Sequence, residues 1–255
     1  MINKITSTSN NLIKQITKLD TTKHILELGM CFVEGEKLVW ELYENGLVDT
    51  VLITEKKQEE YNHALKFKDC NVIVVNEIVS NKISQTKTNA GVFALCKLPV
   101  SNFTFDKPFL VLDGIQDPSN LGSIIRSAIA FDFNNIVLLN CCYPYLPKVI
   151  RSSMGYVFKT NFLYSSVKEL EECQNKYEFD LYCADMNGED VATFSPKAKL
   201  FGIVLGNEGK GVSNDVKVLC KNTISIAMQN GVESLNVGVS ASIIMYQLNE
   251  KSRGL

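Results

Sequence analysis

The sequence predicts an α/β protein: a parallel sheet covered on both faces in the C-terminal part, preceded by a smaller α/β unit. Three observations carry this. The strand-like segments of the second half, FLVLDG, NNIVLLN, FDLYCAD and LFGIVLG, are continuous apolar runs rather than alternations, as in strands buried on both faces. Helical periods separate them. The length, 255 residues with 45% apolar content, suffices for one large core or two small ones. An aperiodic stretch ending in proline, VSNFTFDKP at 100–108, marks the boundary between two units.

From the N-terminus, Ser9-Asn10-Asn11 supplies capping side chains for a helix to about Asp20, with Leu12, Ile13, Ile16 and Leu19 on one face. CFVEGEKLVWELYENG reads as a short strand and then a helix from about Gly35, ending near Asn45-Gly46, where glycine accepts the left-handed cap. VDTVLIT, NVIVVN and GVFALCKLP are strands. Beyond the boundary, FLVLDG (109–114) is a buried strand, and DPSNLGSIIRSAIAFDF makes a turn and a helix with Ile124, Ile125, Ala128 and Ile129 inward. NNIVLLN (134–140) is the next strand, and PKVIRSSMGYVFK opens with proline at a helix start, where its missing N–H is no loss. FDLYCAD, LFGIVLG and TISIAM are strands, and SLNVGVSASIIMYQLNEKS is a C-terminal helix from about Ser234, apolar over most of its circumference.

Composition excludes several classes. Lys+Arg total 26 against 28 Asp+Glu, a net charge of −2. Bulk charge therefore gives no argument for nucleic acid, although a local basic patch suffices for RNA. No apolar run approaches the ~18 residues of a membrane span, and the polar start MINKITSTSN has no signal-peptide core. A cytoplasmic protein without a membrane partner is expected. The eight cysteines, Cys31, Cys70, Cys96, Cys141, Cys142, Cys173, Cys183 and Cys220, form no C-x-x-C pair, so they read as free thiols of a reducing compartment. The only histidines are His24 and His63. A histidine-based triad or metal site is not expected, and no metal is.

In open α/β sheets ligands bind beyond the carboxyl ends of the strands, and three strand ends here carry polar clusters. The first is DGIQDPSNLGSIIR, Asp113 to Arg126, with Asn120 at the helix start and Gly122 in the first turn. Arginine is scarce, only Arg126, Arg151 and Arg253, and its planar fork suits a phosphate as well as a structural ion pair. Arg126 falls six residues after Asn120, so the two need tertiary placement to converge. The second cluster is LGNEGKGVS, Leu205 to Ser213. Its glycines permit close backbone approach, but neither a P-loop nor a G-x-G-x-x-G spacing is present. It also fits a tight surface turn. The third, IAMQNGVESLNVGVS from Ile226 to Ser240, crosses from a strand to a buried helix. It fits a helix capped by Ser234 with Asn236 as a satisfied polar residue.

Together, in order and spacing, these segments resemble the SpoU/TrmH-type RNA ribose 2'-O-methyltransferases of the SPOUT class. The family's N-x-G-x-x-x-R element matches Asn120, Gly122 and Arg126. Its G-N-E-G-x-G element matches Gly206 to Gly211, and its last element matches Ile226-Ala227-Met228 and Ser234-Leu235-Asn236-Val237. PKVIRSSMG is similar to the segment between the first two. The N-terminal part, through SNNLIKQITKL, FVEGEKLV and SQTKTNAGVFAL, resembles the family's ribosomal-protein-like substrate-binding domain. One departure is Ala227, where the family usually has proline. Alanine keeps an N–H and loosens φ, so a modest loss of cofactor affinity is expected there.

The resemblance implies an RNA substrate-binding domain over 1–100, a linker at about 100–107, and a SPOUT methyltransferase domain over 108–255 containing a deep trefoil knot. It implies S-adenosylmethionine as cofactor, a homodimer, and transfer of a methyl group to a ribose 2'-hydroxyl of structured RNA, rRNA before tRNA. A non-catalytic RNA-binding module for ribosome assembly stays open beside it. The catalytic set implied is Arg126, Asn120, Glu208, Ser234 and Asn236, with Glu208 suited to hold a guanidinium. The cofactor residues implied are Leu205, Gly206, Asn207, Gly211, Ile226, Met228 and Leu235. Arg151, Lys14 and Lys18 are RNA-contact candidates. Lys4, Lys14, Lys18 and Lys23 are spaced to share parts of a helix surface.

Overall fold

The structure is a computed structural model describing residues 3–60, 67, 69–86, 88–229 and 234–252. His63, Arg253 and the glycine at 231 lie outside these. The chain divides into two compact units, residues 1–99 with 145–150, and residues 100–144 with 151–255.

The N-terminal unit is a five-stranded mixed sheet in the order β1-β4-β3-β5-β2. Its strands are β1 (Asn3–Ile5), β2 (Met30–Glu34), β3 (Val48–Thr54), β4 (Asn71–Val75) and β5 (Val92–Lys97). β1, β4 and β3 run parallel, and β5 runs antiparallel to β3 and β2. The helix expected up to Asp20 is two pieces, α1 (Asn11–Ile16) and α2 (Thr22–Leu28). Asn10 caps α1 by accepting from the Leu12 N–H at 2.9 Å. Lys18, Leu19 and Thr21 close instead with i−3 bonds, because Asp20-Thr21-Thr22 are poor helix formers. The four lysines therefore share no helix surface: Lys4 is on β1, Lys14 on α1, Lys18 in the turn and Lys23 on α2. α3 (Glu36–Glu44) matches the expected helix, and α4 (Glu55–Glu60) and α5 (Glu77–Ile83) add to it. All eight cysteines are free, and burial pushes the Cys31 thiol up to about 12.

Glu34, at the end of β2, fastens the segment after α5. Its carboxylate accepts from Ser84 Oγ at 2.7 Å, the Gln85 N–H at 2.8 Å, Thr86 Oγ1 at 2.8 Å and the Ala90 N–H at 3.4 Å. Hydrogen bonds to a charged group are worth about 1.5–3 kcal/mol each, and orphaned amides add a penalty. Glu34→Ala should therefore cost this unit at least about 2 kcal/mol, read as an earlier urea midpoint and faster amide exchange at Gln85 and Ala90. Unchanged exchange at both amides would show that the segment is held by other means.

The C-terminal unit carries a six-stranded sheet in the order β11-β9-β10-β6-β7-β8, parallel throughout. Its strands are β6 (Phe109–Asp113), β7 (Asn135–Leu139), β8 (Asn161–Tyr164), β9 (Asp180–Asp190), β10 (Phe201–Gly206) and β11 (Asn222–Ser225). The helices are α6 (Pro118–Ala130), α8 (Val167–Tyr177), the single-turn α9 (Asn214–Lys217) and α10 (Val237–Ser252), while α7 (Pro147–Ser152) straddles the division, its first four residues grouping with the N-terminal unit. One sheet face, with Phe109, Val111, Val137, Leu139, Leu181 and Val204, packs on Leu170 of α8. The buried residues of α6 are absent from that cluster; α6 packs on α10, where Ser127 and Ser242 share a hydroxyl hydrogen bond of 2.7 Å. Residues 100–107, read as a linker, pack onto this unit. Phe103 and Phe105 sit against Phe109, and Phe105 stacks on Phe179 at 5.0 Å. Burying two aromatic rings outweighs the freedom of a short polar segment.

Candidate active site

β6 is the first strand of its sheet. The chain continues to β7 and β8 on one side of it and returns to β9 and β10 on the other. The strand order therefore reverses between β6 and β10, where Gly206 pairs with Asp113. Such a switch point opens a crevice at the carboxyl ends of the two strands.

The segment 206–213 is braced across that crevice. The Asn207 amide nitrogen donates to the Gly114 carbonyl at 2.9 Å, and its oxygen accepts the Gly209 N–H at 3.0 Å and the Lys210 N–H at 3.2 Å. Asn207 and Gly211 exchange backbone hydrogen bonds, and the Ser213 N–H donates to the Asp113 carboxylate at 2.7 Å. Glu208 is thereby held over the N-terminus of α6. There its Oε1 accepts from Asn120 Nδ2 at 2.6 Å, while Asn120 Oδ1 accepts from Asn236 Nδ2 at 2.9 Å.

The polarity of this chain is forced from its two ends. Asn236 Oδ1 is occupied by the Gly238 N–H at 2.9 Å and the Val239 N–H at 3.3 Å, so its amide nitrogen must face Asn120. Asn120 then presents its own nitrogen to the carboxylate. Asn236 is thus the N-cap of α10, which begins at Val237, a correction to the expected start at Ser234. Ser234 is exposed and lines the cleft described next. Asn236→Ser should keep the cap, with stability within about 0.5 kcal/mol, while releasing Asn120. A fall in the rate of the methyl transfer that the resemblance implies, at unchanged melting temperature, is the expected reading; loss of both together would leave the residue a cap alone.

Beside the polar chain lies a cleft of about 360 Å³, within the range of small-molecule sites. Leu205, Gly206, Asn207, Gly211, Ile226, Met228 and Leu235 all line it, as do Glu208 and Ser234. Ala227 is exposed. Sequence reasoning missed part of the wall: Ala184, Asp185, Met186, Ser225, Ser240 and Ile244. β9 explains the first three. Cys183 pairs with Thr223 but Glu189 with Ile224, so residues 184–188 bulge out of the ladder, and the first three of them line the cleft. The polar change from LYCA to DMNGED at a strand end is the signal that could have found them. Lys217 donates to Asp185 at 2.8 Å and holds that carboxyl below its ordinary value, so Asp185 is an anion in the wall at neutral pH.

Apolar side chains, backbone rims and the carboxylates of Asp185 and Glu208 suit a ligand that joins a purine nucleoside to a charged thioether chain. Gly206 supports this fit. A β-carbon there would lie 2.1 Å from the Gly211 carbonyl carbon and the Val212 nitrogen, so only glycine lets the loop fold back along the cleft.

Arg126 is placed differently. It is exposed, and among the described residues it makes no hydrogen bond or ion pair. Six residues along an α-helix turn it about 120° from Asn120, and Glu208 holds Asn120 rather than the guanidinium. The expected pairing of Glu208 with an arginine is therefore not formed within one chain. Arg151 is exposed at the end of α7. Lys14 and Lys18 are exposed in the N-terminal unit. Gly122 brings α6 against Ser152, whose Oγ would lie 1.9 Å from a β-carbon there. Among the described residues no helix is long and apolar enough to cross a membrane, and no group of three or more His, Cys, Asp or Glu could hold a metal ion.

Comparison with known proteins converges on one family. Residues 107–246 match the SpoU rRNA Methylase family, and residues 10–94 match the MRM3-like substrate binding domain. The chain is 26% identical to the 23S rRNA (guanosine(2553)-2'-O)-methyltransferase RlmP of Bacillus subtilis, over 96% of this chain and 98% of that protein. It is 30% identical to a putative TrmH family tRNA/rRNA methyltransferase of Staphylococcus saprophyticus, over 86% and 95%. A crystal structure of an AdoMet-bound rRNA methyltransferase from Sinorhizobium meliloti shares the fold, with a TM-score of 0.86 at 23% identity and coverage of 98% of both chains. With the family's motifs seated at the switch point of a wholly parallel sheet, the chain belongs to the SpoU rRNA methylase family, S-adenosylmethionine-dependent RNA methyltransferases.

Proposed function

We propose that this protein methylates a ribose 2'-hydroxyl of ribosomal RNA in the cytoplasm, acting as a homodimer without a metal. The observation that carries the reading is the Asn236–Asn120–Glu208 chain at the edge of the cleft. It presents oriented amide and carboxylate groups to whatever is seated beside the cofactor, so a hydroxyl can be positioned there with little reorganisation. When bound, S-adenosylmethionine supplies the methyl group from its sulfonium. Leu205, Ile226, Met228 and Leu235 give its binding site apolar walls, and the backbone of 206–211 gives it a polar rim.

The hydroxyl must lose its proton, and no histidine stands in the described C-terminal unit. An arginine base is disfavoured because its pKa exceeds about 12. Arg126 instead clamps the phosphate next to the target ribose, and an oxygen of that phosphate takes the 2'-hydroxyl proton. Within one chain Arg126 faces away from Asn120. A second copy docked on the α6–α10 layer, where Val239 and Tyr246 are 48% and 45% exposed, would bring an Arg126 to each site. The N-terminal unit, with Lys14 and Lys18 exposed, would grip structured RNA by shape. The class also implies a trefoil knot in the C-terminal half.

The test is transfer of labelled methyl from S-adenosylmethionine to separated rRNA and tRNA pools, with Arg126→Ala as control. Label in rRNA at one alkali-resistant linkage is the expected result. Label in tRNA alone would move the substrate, and absence of both label and cofactor binding would leave an RNA-binding module.

A further inference from the structure

Tyr143 and Tyr164 form a stacked pair, with centroids 5.9 Å apart and planes inclined by 18°. Tyr164 is 53% exposed, at the end of β8, the edge strand of the sheet. We infer that this pair is a stacking platform for a nucleobase of the substrate RNA that flanks the methylated ribose. The inference rests on the RNA-methyltransferase reading and adds a specificity-determining contact to it.

Three features place the pair beside the active site. The first is register. Tyr164 pairs with Leu138, one residue short of the row in which Leu139, Asp113 and Gly206 end their strands. β8 lies two strands from β6, and strands are about 4.8 Å apart. The strand end that carries the ring therefore stands about 10 Å along the sheet edge from β6, which borders the switch point, a span that neighbouring nucleotides of one strand cover. The second is face. Leu163 packs into the cluster beneath α8, so by strand alternation Tyr164 points to the opposite face, the one without α8.

The third is rigidity. The loop after β7, which carries Tyr143, is tied to the loop that leads into α6. The Cys142 N–H donates to the Ile115 carbonyl at 2.8 Å, and Gln116 Nε2 donates to the Asn140 carbonyl at 2.5 Å. The ring and the Asn120 amide thus hang from one hydrogen-bonded frame. Arg151, exposed at the end of α7, adds a cation to the same unit. Aromatic rings flanked by cations are the recurring means of holding unpaired bases without reading their sequence.

The test combines kinetics with a crosslink. rRNA from cells lacking the enzyme is the methyl acceptor for wild type, Tyr164→Ala, Tyr164→Phe and Tyr143→Ala. Loss of one stacked base should raise KM for RNA roughly 5- to 150-fold with little change in kcat or in cofactor affinity, and phenylalanine should restore it. Independently, the same RNA transcribed with 5-iodouridine is irradiated on the wild-type protein and the crosslinked peptides are mapped. Adducts on Tyr143 or Tyr164 are expected. An unchanged KM in Tyr164→Ala with crosslinks only elsewhere overturns the platform, as does a changed oligomeric mass with unchanged KM, which would make the pair a protein contact. If the wild type transfers no methyl yet crosslinks through these tyrosines, the platform stands and the enzymatic reading fails.

Discussion

Arg126→Ala is expected to abolish methyl transfer while leaving the fold and the cofactor site intact. The side chain is exposed and, among the described residues, makes no hydrogen bond or ion pair. Its removal should therefore change stability by no more than about 0.5 kcal/mol, as for other surface positions away from structural features. It does not line the cleft, so affinity for S-adenosylmethionine should stay within about tenfold, or roughly 1.4 kcal/mol. Transfer should fall by about 10²- to 10⁴-fold, the range for removing one group that manages charge or a proton in a transition state. Arg126→Lys should recover only part of the loss, because an ammonium lacks the planar fork that grips a phosphate. Calorimetry with the cofactor and single-turnover transfer separate the possibilities. If cofactor affinity collapses with the rate, the arginine is a structural pillar; if the rate is unchanged, it takes no part in the reaction.

An arginine with nothing to do in the folded monomer was visible in the sequence only as a rarity. Its neighbours were more legible, because a parallel sheet directs attention to the ends of its strands and three of those ends were polar and glycine-rich. What could not be read was how they join. Ser234 and Asn236 are both competent caps two residues apart, and the choice between them depends on Asn120, 116 positions away. The direction of the amide chain needs groups from three distant segments. In the same way, the bulge that contains Asp185 of the cleft wall exists only because β11 pairs with β9 out of step.

Some local elements were missed although their signals were present. α8 has only Leu170 buried, too little for an apolar stripe, yet Ser166 and Glu169 form a complete capping box, a pattern readable from spacing alone. β8 is four residues long, and its place at the sheet edge is what leaves Tyr164 exposed. Propensity was weakest where tertiary contacts decide, as at the break between α1 and α2.

Gly206→Ala carries the other large effect. The added carbon would meet the Gly211 carbonyl carbon and the Val212 nitrogen at 2.1 Å, and the Gly211 oxygen at 2.4 Å. These are backbone atoms held by paired hydrogen bonds between Asn207 and Gly211, so no side chain can swing aside. The loop itself must move. Its displacement removes the Asn207 bond to Gly114, and with it the support that keeps Glu208 on Asn120. Both halves of the site should fail together: cofactor affinity by about 100-fold or more, equivalent to at least about 2.7 kcal/mol, and transfer beyond detection. Overpacking should also cost about 1–3 kcal/mol of stability. Gly209→Ala is the matched control in the same loop, since a β-carbon there meets nothing nearer than 3.7 Å. Although Gly209 also lines the cleft, its backbone need not move, so this variant should lose much less cofactor affinity and transfer than Gly206→Ala. Equal losses in both variants would mean that loop flexibility matters rather than the close approach at Gly206, and a Gly206→Ala protein with intact cofactor binding would remove this loop from the cofactor site.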